Sequence, residues 1–520
     1  MVNRTPIKPR PFASAVRIAP LTAAIVSGVA SAATIAVTDS GGFGSSDSCT
    51  IVDAVQSINK GAAQAGCVVS GDDPFGVNDT VDLTSFINPT TIAFTNVFSD
   101  SALILARAMT IRGNLDSNGQ PLVTLARQSS PLPFRLLHSK SGLTVDGLAF
   151  TGGSAANAIG GAILANAVAG LTLTHAVVTG NDAFIGGGIA AYGPLHVDNS
   201  IVSGNYAAFS GGGIACESLC VTATINASTV SGNYAAFGSG GGIYSRGNVV
   251  AVGSIVSGNF AAQYGGGVYA GNRAQLNGSS ITGNTSEYGG GGVYAVNYVQ
   301  TLGSTISDNY TAGNGGGIAA QRNIDINQST VSANRSHSNG GGIAGLFVYS
   351  NNSTVSGNSA FQYGGGVYAG GQFNTLFTTI SSNRLIGNEM HSGAGAFFGN
   401  AIATLSGTLL FGNTGGADLD ATAGSVYGDH NLIGVVGSVL TAPDDTLTCD
   451  PHLAPLADNG GPTQTQALPF GSCAIDAGPV TSDDDTDQRG AGFARVVGPA
   501  SDIGAFEAQT DDTIFKDGFE

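Results

Sequence analysis

The sequence predicts an all-β protein that winds as a parallel β-helix, a solenoid with coils of about 25 residues. Two markers keep this period: an Asn that ends an apolar-x-x-Asn motif, and an apolar residue that follows Gly-Gly. A unit of this length cannot fold alone, so it must stack on its neighbours. The repeats show no helical periodicity, and their glycine content would destabilise a helix. The markers are Asn181, Asn205, Asn233, Asn259, Asn284, Asn309, Asn334, Asn358 and Asn383, and Ile163, Ile189, Ile214, Ile243, Val268, Val293, Ile318, Ile343 and Val367.

The composition supports a folded chain and argues against two classes of partner. The 520 residues include 80 glycines, only 10% are charged, and the formal net charge is −17. Disordered chains combine low hydrophobicity with high charge, which this chain does not. An acidic surface without clustered Lys and Arg argues against nucleic-acid binding. It also argues against electrostatic docking to an anionic membrane.

Residues 1–32 have the pattern of a secretory signal peptide. A stretch with four basic residues precedes an apolar run, and Ala30-Ser31-Ala32 supplies small residues for cleavage. The apolar run is too short for a transmembrane anchor. We therefore expect a secreted protein, extracellular or on the outer cell surface, with no transmembrane segment after cleavage.

One repeat, SGNFAAQYGGGVYAG at 257–271, indicates how a coil is built. The apolar residue three places before the Asn, here Val256, points inward. The Asn side chains of successive coils can form a hydrogen-bonded ladder. The glycines suit a turn where stacked backbones approach closely or need positive φ.

Alternation along the strand predicts two outward-facing aromatic stripes. If the residue after Gly-Gly faces inward, the next one faces outward. One interpretation is that these stripes stack on the sugar rings of a polysaccharide or contact a host or neighbouring cell surface. The alternative, which we favour, is that they shield the glycine-rich turns and rigidify the stack. The first stripe contains Tyr244, Tyr269, Tyr294 and Tyr368, and the second, just after the Asn, contains Tyr206, Tyr234, Phe260 and Tyr310.

Six cysteines form three local pairs, and in an oxidising compartment this spacing predicts disulfides. The alternatives are free thiols or a metal site. The close pair, Cys216 and Cys220, lacks the second pair that a zinc site needs. The other two pairs are Cys49 with Cys67 and Cys449 with Cys473.

The sequence contains no convincing catalytic or cofactor motif. Glycoside hydrolysis needs two neighbouring carboxylates, but the acidic residues of the repeats share no position on adjacent coils. Asp418 and Asp420 are the one pair that a strand would place on the same face. A solvated or capping pair is the alternative interpretation. We predict no catalytic residues and no cofactor.

Asp483, Asp485 and Asp487 form a D-x-D-x-D run that could hold Ca²⁺ through carboxylate oxygens. The run lacks the distal bidentate Glu of a calcium loop. An ordinary acidic loop is therefore the favoured interpretation, and no metal site is predicted.

Three segments resemble known families. The Gly-Gly-(Ile/Val) and apolar-x-x-Asn pattern resembles the repeats of bacterial polymorphic outer-membrane proteins. CTIVDAVQSIN (49–59) resembles the motif of the CSLREA domain. The residues 449–478, with DQRG (487–490) and SDIGAFE (501–507), resemble the choice-of-anchor Q domain, with Cys473 where the family usually has Pro. The resemblance implies a right-handed parallel β-helix of pectin-lyase-like type on exported bacterial proteins, with no particular activity.

The predicted order is a signal peptide (1–32), a CSLREA-like cap (33–78), β-helix repeats (79–425), a choice-of-anchor Q-like capping or anchoring module (426–508) and a tail (509–520). Open solenoid ends expose unpaired strands, which gives both terminal modules a reason to act as caps. We expect a monomeric, non-catalytic protein that binds glycans or adheres to surfaces. The alternatives are a polysaccharide lyase or glycoside hydrolase of pectin-lyase-like fold, and a structural surface rod.

Overall fold

The chain forms a β-solenoid of about 12 coils, in which nearly all strands pair in parallel with the equivalent strand one coil away. This confirms the predicted fold class. The computed structural model describes residues 32–42, 47–64, 66–70, 75–76, 78–95, 100–128, 132–387, 393–480 and 484–509. The signal peptide except residue 32, the tail beyond residue 509, and Asp483 lie outside the described residues.

Each central coil contains four short strands, and equivalent strands form four ladders that we name A to D. In the coil that follows Gly265 to Gly267, ladder A contributes Val268–Ala270 and ladder B contributes Arg273–Asn277. Ladder C contributes Ser280–Thr282 and ladder D contributes Thr285–Ser286. A second glycine turn then leads to the next coil.

The strand bounds follow these ladders. Ladder A contains Ser101–Leu105, Arg135–Ser139, Ile163–Ala165, Ile189–Ala191, Ile214–Cys216, Ile243–Ser245, Val268–Ala270, Val293–Ala295, Ile318–Ala320, Ile343–Gly345, Val367–Ala369, and the beginnings of Ala396–Ser406 and Leu419–Asp429. Ladder B contains Thr34–Ala36, Asp79–Asp82, Met109–Arg112, Leu143–Asp146, Leu171–Thr174, Leu195–Asp198, Thr222–Asn226, Asn248–Val252, Arg273–Asn277, Tyr298–Leu302, Asn323–Asn327, the beginnings of Phe347–Ser356 and Phe373–Ser381, and the ends of Ala396–Ser406 and Leu419–Asp429.

Ladder C contains Thr90–Phe94, Val123–Arg127, Leu148–Thr151, Val177–Thr179, Ile201–Ser203, Thr229–Ser231, Ile255–Ser257, Ser280–Thr282, Thr305–Ser307, Thr330–Ser332, the ends of Phe347–Ser356 and Phe373–Ser381, Leu409–Phe411 and Leu432–Ile433. Ladder D contains Ser154–Ile159, Asp182–Ile185, Tyr206–Ala207, Tyr234–Ala235, Phe260–Ala261, Thr285–Ser286, Tyr310–Thr311, Arg335–Ser336, Ser359–Ala360 and Arg384–Leu385. Val69–Ser70 pairs antiparallel with Thr34–Ala36 at the N-terminal end.

A helix that the sequence analysis does not anticipate lies in the N-terminal cap. Ile51–Lys60 begins with a capping box between Thr50 and Asp53 and ends at Gly61, which has a φ of 67°. Its buried face, which includes Ile51, belongs to the same hydrophobic core as the coils. Asn59 also donates a hydrogen bond to the Ile104 carbonyl at 2.7 Å. The helix therefore contributes to the N-terminal end of the stack.

The expected Asn ladder is present between ladders C and D. At its centre, the Asn284 amide donates to Asn309 Oδ1 at 3.0 Å and to the Val256 carbonyl at 2.9 Å. Asn309 Oδ1 also accepts the backbone N–H of Asn284 at 2.9 Å. Each coil repeats this pattern from Asn181 to Asn413. The buried amides thus satisfy one another through the coils from Asn181 to Asn413.

A second polar ladder, which the sequence analysis misses, lies between ladders B and C. The backbone N–H of Ser279 donates to Ser304 Oγ, and that of Ser304 donates to Ser329 Oγ, both at 3.1 Å. The same bond recurs from Ser200 onward. Each serine stands five residues before the ladder Asn of its coil, so the pattern is visible in the sequence.

The cysteines come together in the three predicted pairs. Cys49 bonds to Cys67, Cys216 to Cys220 and Cys449 to Cys473, and no cysteine is free. The first pair ties the start of the cap helix to the loop after it. The last pair closes a loop within the C-terminal module.

The predicted C-terminal module, residues 426–508, begins inside the last coil, within Leu419–Asp429 and Leu432–Ile433. From residue 434 onward the module covers the end of the stack and also one side of it. Val436 pairs with Leu419, and Leu447 pairs with Leu432, across the last coil. The chain then runs back along the edge where ladders B and C meet. The Gln488 amide donates to Thr330 Oγ1 at 2.9 Å, and Thr354 Oγ1 donates to Gln488 Oε1 at 2.6 Å. The predicted capping role explains the pairing with the last coil, but it does not explain the contacts of Gln488 along the side of the stack.

Candidate functional site

The first aromatic stripe is a packed column on the outer side of ladder A. The rings of Tyr244 and Tyr269 stack with centroids 5.2 Å apart, and those of Tyr269 and Tyr294 stack at 5.7 Å. Tyr264 packs against Tyr294 at 4.5 Å, and Gln321 donates to the Tyr294 hydroxyl at 2.9 Å. Tyr294 is only 8% exposed. Burial raises the pKa of the Tyr244, Tyr269 and Tyr294 hydroxyls above its usual value.

Tyr368 belongs to the same column but not to the same stack. Two alanines, Ala319 and Ala344, occupy the coils between Tyr294 and Tyr368. Tyr368 instead stacks on Phe397, with ring centroids 6.0 Å apart. The contacts and burial of this stripe fit the alternative interpretation, in which aromatic side chains stiffen the solenoid.

The second stripe, on ladder D, is far more open to solvent. Tyr206 and Tyr234 stack at 5.8 Å, and Tyr234 and Phe260 stack at 4.6 Å. Tyr206 and Tyr234 are each 43% exposed. Thr285 then interrupts the column before Tyr310. Tyr206 and Tyr234 therefore present exposed rings on one side of the protein, and the half-buried Phe260 continues their stack.

A further set of exposed aromatic residues lies beside this stripe, and the sequence analysis misses it. Phe184 and Phe209 stack with centroids 5.9 Å apart. Phe237 follows one coil later, because its N–H donates to the Ala208 carbonyl at 3.1 Å. All three are among the exposed large hydrophobic residues, with Phe237 at 71%. The signal is the repeated Tyr-Ala-Ala-Phe at 206–209 and 234–237.

Asp418 and Asp420 are buried, and each has its own structural partners. Asp418 Oδ1 accepts the Asn413 amide at 2.7 Å, and Oδ2 accepts the Val435 N–H at 2.9 Å. Asp418 therefore terminates the Asn ladder. Burial raises its pKa despite these bonds. Asp420 is the ladder A partner of Phe397 in the next coil. Its Oδ1 accepts the Ala421 N–H at 2.8 Å.

The acidic run of the C-terminal module is divided between two environments. Asp485 is exposed, whereas Asp487 is completely buried. Asp487 Oδ2 accepts Arg489 Nη2 at 2.8 Å and the Glu507 N–H at 2.9 Å, and Oδ1 accepts the Arg489 N–H at 2.8 Å. These bonds engage both carboxylate oxygens of Asp487. Among the described residues, no group of three His, Cys, Asp or Glu side chains is placed to hold a metal ion.

A second buried ion pair, Arg495 with Glu507, lies beside a cavity of about 390 Å³ in this module. Glu507 Oε2 accepts Arg495 Nη2 and the Asp502 N–H, both at 2.7 Å. The backbone carbonyl of Asp502 also accepts Arg495 Nη2, at 3.3 Å. Burial, followed by the charge of Asp502, raises the pKa of Glu507 to about 7. Burial also raises the pKa of Asp502.

The raised pKa of Glu507 predicts that the protein loses stability as the pH rises from about 4.5 to about 7. In this window the folded state holds a proton that the unfolded state has released, so stability falls with pH and then levels off. A shift of this size corresponds to about 3 kcal/mol. Urea unfolding of wild type and Glu507→Gln at several pH values measures it. The Gln variant should lose this part of the pH dependence, and unchanged profiles would contradict the prediction.

No helix among the described residues is long and apolar enough to span a membrane. Comparison with known proteins adds no identity: no protein-family model, curated protein or solved structure matches the chain. The chain is therefore defined by its own architecture, a parallel β-helix repeat protein with three disulfides.

Proposed function

We propose that this protein is an exported, non-catalytic β-helix protein that binds glycans or adheres to cell surfaces through ladder D. The supporting observation is a pair of neighbouring aromatic columns. Tyr206 and Tyr234 are exposed and stack with the half-buried Phe260, and the exposed Phe184, Phe209 and Phe237 lie beside them. Aromatic rings held on a rigid sheet stack well on sugar rings and need little reordering when they bind. The net charge of −17 disfavours nucleic acid and anionic membranes as partners.

We also propose that residues 33–78 are a CSLREA-like cap and residues 426–508 a choice-of-anchor Q-like module. The phrases DQRG and SDIGAFE support this, because both supply residues of the buried ion pairs inside the module. Three disulfides suit an oxidising compartment outside the cytoplasm. Export after removal of residues 1–32, a bacterial extracellular location and a monomeric state belong to the same proposal.

A structural surface rod is the second candidate, and a specific observation favours it. The Asn ladder, the Ser ladder and the packed tyrosines of ladder A all stabilise the stack without presenting a site. A rod needs no exposed aromatic groove, however, so the two functions differ on ladder D. The polysaccharide-active alternative has less support, because both carboxylate oxygens of Asp418 already accept hydrogen bonds at the end of the Asn ladder.

The test is a polysaccharide array scored for both binding and cleavage. We expect Tyr206→Ala with Tyr234→Ala to weaken glycan binding about tenfold or more, because two stacking rings are lost. Tyr244→Ala with Tyr269→Ala is the matched control on ladder A and should bind as wild type does. Circular dichroism checks that both variants keep the solenoid fold.

Each other outcome points to a different function. Absence of any glycan binding by wild type would favour the structural rod. Equal loss in both double variants would show that binding depends on the stack rather than on ladder D. Cleavage that disappears in Asp418→Asn would establish the enzymatic alternative instead.

A further inference from the structure

We propose that ladder D carries a groove for a glycan segment without acidic groups, bound with its chain parallel to the solenoid axis. We call this feature the ladder D groove. The inference rests on the proposed function and deepens it by assigning the location, the direction and the chemical class of the ligand. It follows from three properties of the surface: two aromatic walls, a floor of alanines, and negative charge at both ends.

The walls of the groove are the two aromatic columns. One wall is the stack of Tyr206, Tyr234 and Phe260, whose rings are nearly parallel, with interplanar angles of 7° and 13°. The other wall contains Phe209 and Phe237. Phe184, which stands one coil earlier in the register of Ala208, stacks on Phe209 with an interplanar angle of 11°. Stacked rings on each side support one another, so they are held in place before a ligand arrives. Such preorganisation reduces the entropy cost of binding.

The floor consists of small side chains between the walls. Ala208, Ala236 and Ala262 occupy this position in three successive coils, and all three are partly accessible. Tyr206 and Phe209 are three residues apart, so their backbones are separated by no more than about 11 Å. The groove is thus narrow, and a pyranose ring with its flat face toward an aromatic wall suits this width.

The direction of the ligand follows from the rung spacing. Neighbouring coils stack about 4.8 Å apart, which is close to the length of one pyranose unit in an extended glycan. A chain laid along the axis would therefore meet an equivalent aromatic side chain once per sugar. From Asp182 to Glu287 the face spans four such intervals, or about 19 Å. This length accommodates three to four sugar units, by the same estimate of about 4.8 Å each.

The charge of the face selects the chemical class. Asp182 stands directly before Tyr206 in the ladder D column. Glu287, in the coil after Phe260, stands where the preceding coils have a floor alanine, and it is exposed. The segments 182–185, 206–209, 234–237, 260–263 and 285–288 contain no Lys, Arg or His. A polyuronate or sulfated glycan would therefore meet like charge without a compensating cation.

Beyond Glu287 the outward column of ladder D contains two arginines, and this part of the ladder provides an internal control. Arg335 and Arg384 occupy the same outward column further along and are exposed. A ligand that depended on anionic groups would bind there rather than at the aromatic walls. The two halves of ladder D can therefore be tested against each other with probes of different charge.

The experiment uses the full exported chain with its disulfides intact and three soluble probes of equal length: a neutral linear glucan, a chitosan oligomer and a polyuronate. Affinities are measured by titration calorimetry at low and moderate salt. We expect Phe209→Ala with Tyr234→Ala, one residue from each wall, to weaken glucan binding about tenfold or more. Arg335→Ala with Arg384→Ala is the matched pair outside the groove and should leave glucan binding unchanged.

The polyuronate should bind at least about tenfold more weakly than the neutral glucan, with the difference shrinking as salt screens the charges. Asp182→Asn with Glu287→Gln should raise polyuronate affinity and leave the glucan unaffected. The chitosan oligomer should bind at least as well as the glucan to wild type and lose its advantage in this charge variant.

The possible results separate the inference from the proposed function. If no probe binds wild type, the proposed function fails. If the glucan binds but the groove variant has no effect, glycan binding stands and the groove is wrong. Polyuronate binding that equals glucan binding, or that disappears in Phe209→Ala with Tyr234→Ala, overturns the chemical class. Self-association or capture of a protein that requires Phe209 and Tyr234, without glycan binding, would assign the groove to that partner instead.

Discussion

Replacing Arg489 by alanine should detach the C-terminal module from the side of the solenoid, with a loss of about 3–5 kcal/mol in the module's free energy of unfolding. The Arg489 guanidinium lies between the rings of Phe493 and Phe506, 4.0 and 3.9 Å from their centroids. It is paired with Asp487 at 2.8 Å, and both side chains are almost fully buried. Removing the guanidinium leaves a buried carboxylate without its cation, which is among the most costly single changes.

The release of the module can be measured by limited proteolysis, with the cleavage sites in 449–509 assigned by mass spectrometry. Urea unfolding followed by circular dichroism reports the solenoid itself, which should change little. Arg335→Ala is the matched control, because this exposed arginine forms no ion pair with any described residue and should shift stability by less than about 0.5 kcal/mol. A module as protease-resistant in Arg489→Ala as in wild type would refute the prediction.

Replacing Asn309 by leucine should destabilise the solenoid by about 4 kcal/mol, because several buried polar groups lose their partners at once. Asn309 Oδ1 accepts both the side-chain amide and the backbone N–H of Asn284. Its own amide donates to Asn334 Oδ1 and to the Ile281 carbonyl, both at 2.9 Å. Leucine has a similar size, so the effect would come from unsatisfied hydrogen bonds rather than from a cavity.

The matched control is Asn272→Ala, which interrupts a short solvent-exposed run of asparagines. The Asn272 amide donates to Asn248 Oδ1 at 2.8 Å, and its Oδ1 accepts the Asn297 amide at 3.0 Å. Water can replace these partners, so the loss should stay below about 1 kcal/mol. Urea midpoints of the two variants give the comparison. Equal losses in the two variants would mean that burial of the Asn ladder does not increase its contribution to the free energy of unfolding.

The repeat phase predicted which side chains stack, but not which of them are accessible. Tyr269 and Tyr234 occupy comparable outward positions one ladder apart, and both stack on rings above and below. Tyr294, in the column of Tyr269, is nonetheless covered by Tyr264 and Gln321. Those neighbours come from a glycine turn and from the following coil. Their contact depends on how the turn folds, which a one-dimensional period does not describe.

The acidic candidates illustrate the same division. The i, i+2 spacing of Asp418 and Asp420 drew attention to the end of the stack, where a solvated or capping pair was the alternative to a catalytic pair. Only the structure places Asp418 against Asn413, at the point where the ladder has no further Asn to donate to. The cap helix Ile51–Lys60 was missed because the surrounding chain is dominated by the β repeat, although Thr50, Asp53 and Gly61 carry clear boundary signals.

The sequence by itself determined the solenoid, its period, the Asn ladder and the disulfide pairs, because all of these depend on residues that recur at fixed intervals or lie close in the chain. The tertiary structure alone decided the rest: the return of the C-terminal module along ladders B and C, and the burial of Tyr294 by Tyr264 and Gln321. The physical reason is that these features arise from contacts between segments far apart in the chain, such as Thr354 with Gln488, which leave no periodic trace in the sequence.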